Sequence, residues 1–222
     1  MDRLIKICGL STPETLDAAL ASGADLVGFV RFAKSPRHVD LDTGRTLSHQ
    51  AKGRAQRVVL LVDPDDAAIA EAIEALDPDM LQLHGAETPT RVAAIRARFG
   101  RPVLKAIGVA DAGDLATAAD YAGIADYLLL DAKPPRTGDA LPGGNGLPFD
   151  WTLLAGLDPA LAFMLSGGLE PQNVAEAIRL ARPDAVDVSS GVESRPGIKD
   201  PDRIEAFIRA ARAAFAASPI EK

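Results

Sequence analysis

Gln56-Arg57-Val58-Val59-Leu60-Leu61-Val62 is a short, nearly unbroken apolar run, and Asp63-Pro64 ends it. Ala67-Ala68-Ile69-Ala70-Glu71-Ala72-Ile73 then carries the spacing of an amphipathic helix, and a second apolar run opens at Met80. Proline suits the first turn of a helix, so Asp63-Pro64 reads as a helix start. One strand, one helix and the next strand thus fit between residues 56 and 83.

The same unit recurs along the whole chain. Strand-like runs begin near Leu4, Leu26, Gln56, Met80, Val103, Tyr127, Ala162 and Ala185, at gaps of 22 to 35 residues. Ala-rich helical stretches lie between them, such as Asn173-Val174-Ala175-Glu176-Ala177-Ile178. Ser11 with Glu14 three positions on has the form of a capping box, and Gly23 and Gly100 mark helix ends. Eight strand–helix repeats with right-handed crossovers predict an α/β protein, a single closed (β/α)₈ TIM barrel. An open doubly wound sheet is the alternative. It calls for a glycine-rich dinucleotide turn after the first strand, and Gly9 alone does not make one.

Composition agrees with that architecture. The chain has 222 residues, 47% of them hydrophobic and only 5% aromatic, enough to bury a full core beneath packed helices. Residues 1–222 carry no linker or shift of composition, so one catalytic domain is expected. The formal charge of -7, with scattered Lys and Arg, argues against a nucleic-acid surface. The run Val58–Val62 is far too short to span a bilayer, and the N-terminus lacks the pattern of a secretory signal, so a cytoplasmic protein with no membrane partner is expected. A lone cysteine, Cys8, forms no internal disulfide, and clustered Cys and His ligands for a metal are missing from the sequence.

Alternation along each strand divides barrel interior from helical layer. It puts Lys6 and Cys8 on one side and Ile5 and Ile7 on the other, and separates Gln82 and His84 from Leu81 and Leu83. On the last strand it separates Asp187 and Ser189 from Val186 and Val188. The polar parity therefore collects near the C-terminal strand ends, where barrels of this kind carry their active sites. Cys8 and Asp131 each end a strand, the first and the sixth, three steps apart around an eight-strand ring. A thiol and a carboxyl so placed can serve as base and acid on one substrate. Lys6 and Asp187 share the interior on strands that adjoin on closure, which predicts an ion pair and a cation that helps keep Cys8 ionised.

Two glycine turns, Leu165-Ser166-Gly167-Gly168-Leu169 and Val188-Ser189-Ser190-Gly191-Val192, follow the seventh and eighth strands. Small residues and a short helix N-terminus there suit a phosphate, held by Gly167, Gly168, Ser189, Ser190 and Gly191. His84 reads as a hydrogen-bonded residue shaping the mouth. Arg37, in Lys34-Ser35-Pro36-Arg37, could hold a carboxylate with two parallel hydrogen bonds.

Taken in order, Lys6-Ile7-Cys8-Gly9, Gly28-Phe29-Val30, Lys34-Ser35-Pro36-Arg37, Gln82-Leu83-His84-Gly85 and Leu130-Asp131 form a specific series. It continues through Gly143-Gly144-Asn145-Gly146, Phe149-Asp150-Trp151, Ser166-Gly167-Gly168-Leu169 and the segment from Asp187 to Glu193. Over nearly its whole length the chain resembles the phosphoribosylanthranilate isomerases. The resemblance implies a (β/α)₈ barrel and an Amadori rearrangement in tryptophan biosynthesis, with no metal or organic cofactor. It implies a sugar-phosphate substrate, N-(5-phosphoribosyl)anthranilate, and a monomer or homodimer. Cys8 matches the family's general base, Asp131 its general acid, Arg37 the group that holds the anthranilate carboxylate, and the two glycine turns its phosphate clamp. Ring opening then requires Asp131 to start protonated, and removal of the C2 proton requires Cys8 to start as a thiolate.

Three positions depart from the family pattern. Arg31 stands where an aromatic is usual, Ala33 where proline is usual and Asn145 where threonine is usual. The stretch from Lys133 to Pro148 reads as either a cover or a slack connection. Rival readings are a metal-dependent pentose-phosphate epimerase and a non-catalytic sugar-phosphate sensor. The first wants paired His and Asp ligands, and the chain has only His38, His49 and His84.

Overall fold

The computed structural model describes residues 3–133, 150–157 and 161–217. Eight parallel strands close on themselves in chain order: β1 (Leu4–Cys8), β2 (Leu26–Val30), β3 (Gln56–Leu61), β4 (Met80–Leu83), β5 (Val103–Val109), β6 (Tyr127–Ala132), β7 (Phe163–Leu165) and β8 (Ala185–Val188). Helices α1 (Pro13–Ala21), α2 (Leu41–Ala51), α3 (Asp66–Leu76), α4 (Pro89–Phe99) and α5 (Ala112–Ala119) follow the first five strands in turn. α6 (Val174–Ala181) follows β7, and α7 (Pro201–Ala217) closes the chain after a hairpin of β9 (Glu193–Arg195) and β10 (Ile198–Lys199). Between β6 and β7 the described residues include a 3₁₀ segment, Trp151–Gly156.

The helices form where apolar residues recur on one face and a side chain caps the start. In α3 the buried face is Ile69, Ala72, Ala75 and Leu76, and Asp65 accepts the N–H of Ala68. The start therefore falls at Asp65, two residues beyond the Asp63-Pro64 reading. Asp63 instead turns the chain with φ of 45°, and its carboxylate accepts the N–H of Ala86. In α1 the cap is Thr12, which accepts the N–H of Thr15, one residue beyond the Ser11 expected. A left-handed Gly100 ends α4, and Gly23 follows the last turn of α1.

Side-chain alternation splits the core into two shells. Ile5, Ile7, Val27, Val59, Leu81, Leu83, Val186 and Val188 pack outward against the helices. Leu26, Val58, Met80, Leu104, Ala106, Leu129, Met164 and Ala185 fill the lower barrel, and Cys8, Val30 and Leu60 pack nearer the C-terminal mouth. Each fully buried aliphatic side chain contributes roughly 1.5–3 kcal/mol. Lys6, Gln82 and Asp187 lie buried on the inner parity, as alternation predicts. Charge inside a barrel demands pairing, and those pairs define the mouth.

Candidate active site

Cys8 ends β1 inside the barrel and is 3% exposed. Its neighbour in register is Gly28 on β2, where a Cβ would stand 2.9 Å from Cys8 Sγ and 3.3 Å from Lys6 Nζ. Any larger residue at position 28 would therefore drive the thiol and the ammonium out of the corner they share. Lys6 Nζ donates to Asp187 Oδ1 at 2.8 Å across the β1–β8 seam, the pair that parity predicted. Ser166 Oγ donates to the other carboxylate oxygen of Asp187 at 3.5 Å.

Burial and charged neighbours act on the Cys8 thiol in opposite senses. Burial pushes the thiol up, Lys6 pulls it down, Asp187 pushes it up again, and Lys199 pulls it down. Burial prevails, so the resting thiol sits above its ordinary value. Lys6, the charge that acts most strongly on the thiol, is opposed by Asp187 and does not offset burial. For Lys6 itself, burial is outweighed by the charges of Asp187 and Cys8, and its value is raised.

Asp131, on β6, is 5% exposed. Its Oδ1 accepts the N–H of Ala132 at 2.8 Å, and its Oδ2 lies 3.2 Å from His84 Nε2. On the other side of the imidazole, Gln82 Nε2 lies 3.1 Å from His84 Nδ1. An amide N–H donated to Nδ1 leaves the ring proton on Nε2, where it points at the Asp131 carboxylate. His84 is thus a hydrogen-bonded residue shaping the mouth, as read, and its partner is the candidate acid. Gln82 Oε1 is buried with no partner among the described residues. Directly after His84, Glu87 fixes the loop by accepting the N–H groups of Asp63 and Gly85 and an ammonium bond from buried Lys105 at 2.7 Å.

The two glycine turns meet at the mouth. Gly167 has φ of 84°, and a Cβ there would lie 2.5 Å from Ala132 N and 3.1 Å from Asp131 Oδ1, so only glycine lets this turn pass the carboxyl. A Cβ on Gly191 would run into Leu169 O, so the second turn packs directly on the first. Asn173 Nδ2 donates to Gly168 O at 2.9 Å and pins the first turn. Ser190–Val192 is a single 3₁₀ turn, so the partial positive charge expected of a helix N-terminus reduces to a few backbone N–H groups.

Arg37 reaches over from the loop after β2, with its Cδ 2.8 Å from where a Cβ of Gly9 would stand. It is 5% exposed, and its Nε and Nη2 donate to both oxygens of Glu193 at 2.7 and 2.9 Å. The fork expected to meet a substrate carboxylate thus meets one from the chain itself. Arg31 braces the same loop through Val39 O at 2.7 Å. Asn145, the Gly143–Gly146 motif and nearly all of the 133–148 stretch lie outside the described residues.

Sequence reasoning missed two members of this network. Glu193 was quoted only as the end of a motif, and Lys199 carried no signal. Lys199 Nζ donates to Glu193 Oε1 at 2.8 Å and to Ser189 O at 2.9 Å. Burial pushes Glu193 up, but hydrogen bonds from Arg37 and the charge of Lys199 outweigh it and hold the carboxyl below its usual range.

A closed (β/α)₈ barrel with a thiol, a carboxyl–imidazole pair and two interlocked glycine turns at its C-terminal mouth defines a barrel isomerase built for acid–base chemistry. Residues 5–210 match the family model described as N-(5'phosphoribosyl)anthranilate (PRA) isomerase. The chain belongs to that family, the isomerases of this step in tryptophan biosynthesis. It is 63% identical over 214 residues to the N-(5'-phosphoribosyl)anthranilate isomerase of Azorhizobium caulinodans, covering 96% of this chain and 93% of the relative. The corresponding isomerase of Rhodopseudomonas palustris strain BisB18 is 59% identical over 213 residues, covering 96% and 97%. A crystal structure of the Thermotoga maritima enzyme superposes with a TM-score of 0.85 at 38% identity, covering 96% of this chain and all of that one. Another solved isomerase, in complex with reduced 1-(o-carboxyphenylamino)-1-deoxyribulose 5-phosphate, gives 0.81 at 35% identity, covering 96% and 100%.

Proposed function

We propose that this chain converts N-(5-phosphoribosyl)anthranilate into 1-(2-carboxyphenylamino)-1-deoxyribulose 5-phosphate, with Asp131 as general acid and Cys8 as general base. The observation that carries the reading is the placement of both groups on the inner parity at the C-terminal ends of β6 and β1. Asp131 gives its proton to the ring oxygen as the C1–O bond breaks and C1 becomes a Schiff base with the anthranilate nitrogen. Cys8, as a thiolate, removes the proton from C2. The C–H electrons form the C1=C2 bond and neutralise the nitrogen, giving an enolamine. The enol proton then leaves and a proton arrives at C1, which yields the ketone.

His84 holds the Asp131 carboxyl group in one orientation through Nε2, and Asp187 does the same for Lys6 beside the thiol. The interlocked turns, through Gly167, Gly168, Ser189, Ser190 and Gly191, take the substrate phosphate. Arg37, locked in place by Glu193, provides the positive charge for the anthranilate carboxylate. The enzyme works without a cofactor, as a cytoplasmic monomer or homodimer. The test follows anthranilate fluorescence while purified protein consumes freshly made phosphoribosylanthranilate. Consumption that scales with protein and yields the ketose product is expected, and unchanged fluorescence would overturn the proposal.

A further inference from the structure

We infer that the buried Glu87–Lys105 pair, on the helical side of the barrel wall, consists of positioning residues for the acid half of the reaction: it fixes the peptide that follows His84 and so sets the imidazole against Asp131. The inference deepens the reading of Asp131 as general acid and rests on it.

Alternation places Lys105 outside the barrel. Val103 and Ile107 pack in the outer shell while Leu104 and Ala106 fill the lower barrel, so Lys105 faces the helices, in register with Leu83 of β4. Its ammonium donates to Glu87 Oε2 at 2.7 Å, and the two side chains are 3% and 2% exposed. Two charges so far from water add little net stability, because desolvation offsets their attraction. What they hold is backbone. Glu87 Oε2 accepts the N–H of Gly85 at 3.1 Å, Glu87 Oε1 accepts the N–H of Asp63 at 2.9 Å, and Lys105 Nζ also donates to Gly85 O at 2.7 Å. Both polar groups of the Gly85 backbone are therefore taken by the pair.

The neighbouring groups close the same clamp. Asp63 Oδ1 accepts the N–H of Ala86 at 2.7 Å, and a Cβ on Gly85 would run into that carboxylate. Tyr121, just beyond α5, donates its hydroxyl to Glu87 O at 2.8 Å, and its ring centroid lies 5.8 Å from Lys105 Nζ. His84 donates its own N–H to Leu61 O at 2.9 Å. The backbone is thus held on both sides of His84, by β3 before it and by the ion pair after it. From that fixed point the imidazole reaches inward, and its Nε2 comes to 3.2 Å from Asp131 Oδ2. A contact at the long end of the hydrogen-bond range tolerates little further displacement. A shift of about 1 Å in a catalytic constellation can cost about 10²-fold in rate, even when its source lies away from the reacting atoms.

Glu87→Gln keeps the shape of the side chain and removes the charge that meets Lys105. With phosphoribosylanthranilate as substrate, kcat should fall about tenfold while KM stays within about twofold of the parent. The ring-nitrogen chemical shifts of His84, identified by their loss in His84→Ala, should move. In the His84→Ala background the same substitution should change kcat by no more than about twofold, because the group through which it acts is gone. Tyr121→Phe removes only the bond to Glu87 O and should lower kcat about threefold in the parent but not in His84→Ala, which keeps the test decisive if Glu87→Gln does not fold. An equal fall of kcat in both backgrounds would overturn the inference, since the pair would then serve the loop and not His84. Unchanged kcat in the parent background, with either variant, would do the same, as would unmoved His84 shifts in folded Glu87→Gln. Near-normal turnover in Asp131→Asn, by contrast, would remove the acid assignment while leaving the His84 shifts to move with Glu87→Gln, so the two failures are distinguishable.

Discussion

Lys6 Nζ stands 2.8 Å from Asp187 Oδ1, joining the first strand of the barrel to the last beneath the candidate base. Both side chains are essentially sealed from solvent, at 0% and 5% exposure. Desolvation offsets most of the attraction in such a pair, so its value lies in what happens when one partner is lost.

Lys6→Met leaves the Asp187 carboxylate buried and unmatched. We expect a loss of about 3–5 kcal/mol in urea unfolding, with most of it regained in the Lys6→Met, Asp187→Leu double variant. A single variant as stable as the parent would contradict the buried pairing.

The Gln82–His84–Asp131 chain predicts a graded effect. Gln82→Met removes the donor that sets the His84 tautomer but also removes an orphaned buried oxygen, so stability should change by no more than about 1 kcal/mol. Turnover should fall about tenfold, since His84 then loses its orientation toward the carboxyl, and nitrogen chemical shifts of the ring should show mixed tautomers. His84→Ala should cost less turnover than Asp131→Asn, because the imidazole orients and the carboxyl transfers the proton.

Arg37→Ala should do two things at once. It breaks a two-bond buried pair, so unfolding free energy should drop by about 3 kcal/mol. It also removes the charge assigned to the anthranilate carboxylate, so KM should rise more than kcat falls. Arg37→Lys keeps the charge and loses the fork, and should recover kcat better than stability.

Two pH dependences follow from the displaced groups. The folded thiol of Cys8 lies above its ordinary value and catalysis needs the thiolate, so kcat/KM should climb with pH along a limb above that of a free thiol. The folded carboxyl of Glu193 is held below its ordinary value, so in mild acid the unfolded chain binds more protons than the folded one. Its contribution to stability is therefore complete above the ordinary carboxylate range, about pH 4, and is lost as pH falls toward the depressed value. Urea midpoints measured across that range should fall less in Glu193→Gln than in the parent.

The strand starts were legible because each is a short apolar run set off by helix-forming residues. Seven of the eight begin where the sequence placed them, and the seventh begins at Phe163, one residue late. Alternation also revealed Lys6 against Asp187, since residues that face inward on adjoining strands must meet. The caps were harder to locate: Ser11 and Thr12 are both capable, and only the backbone geometry selects Thr12. Glu193 escaped because Arg37 stands 156 residues away, and Lys199 because its bonds to Ser189 and Glu193, 10 and 6 residues away, form only when the hairpin folds over the mouth. The state of the Cys8 thiol escaped for a related reason. Parity shows which way a side chain points, but the balance of burial against Lys6, Asp187 and Lys199 exists only in the packed barrel.

The central claim is that Cys8 and Asp131 act as base and acid on one sugar phosphate. Its most direct test is single-turnover loss of anthranilate fluorescence with Cys8→Ala and Asp131→Asn beside the parent, each first shown to fold by circular dichroism. We expect each variant to be slower by about 10²- to 10⁴-fold. Near-parental turnover in either one would contradict the account.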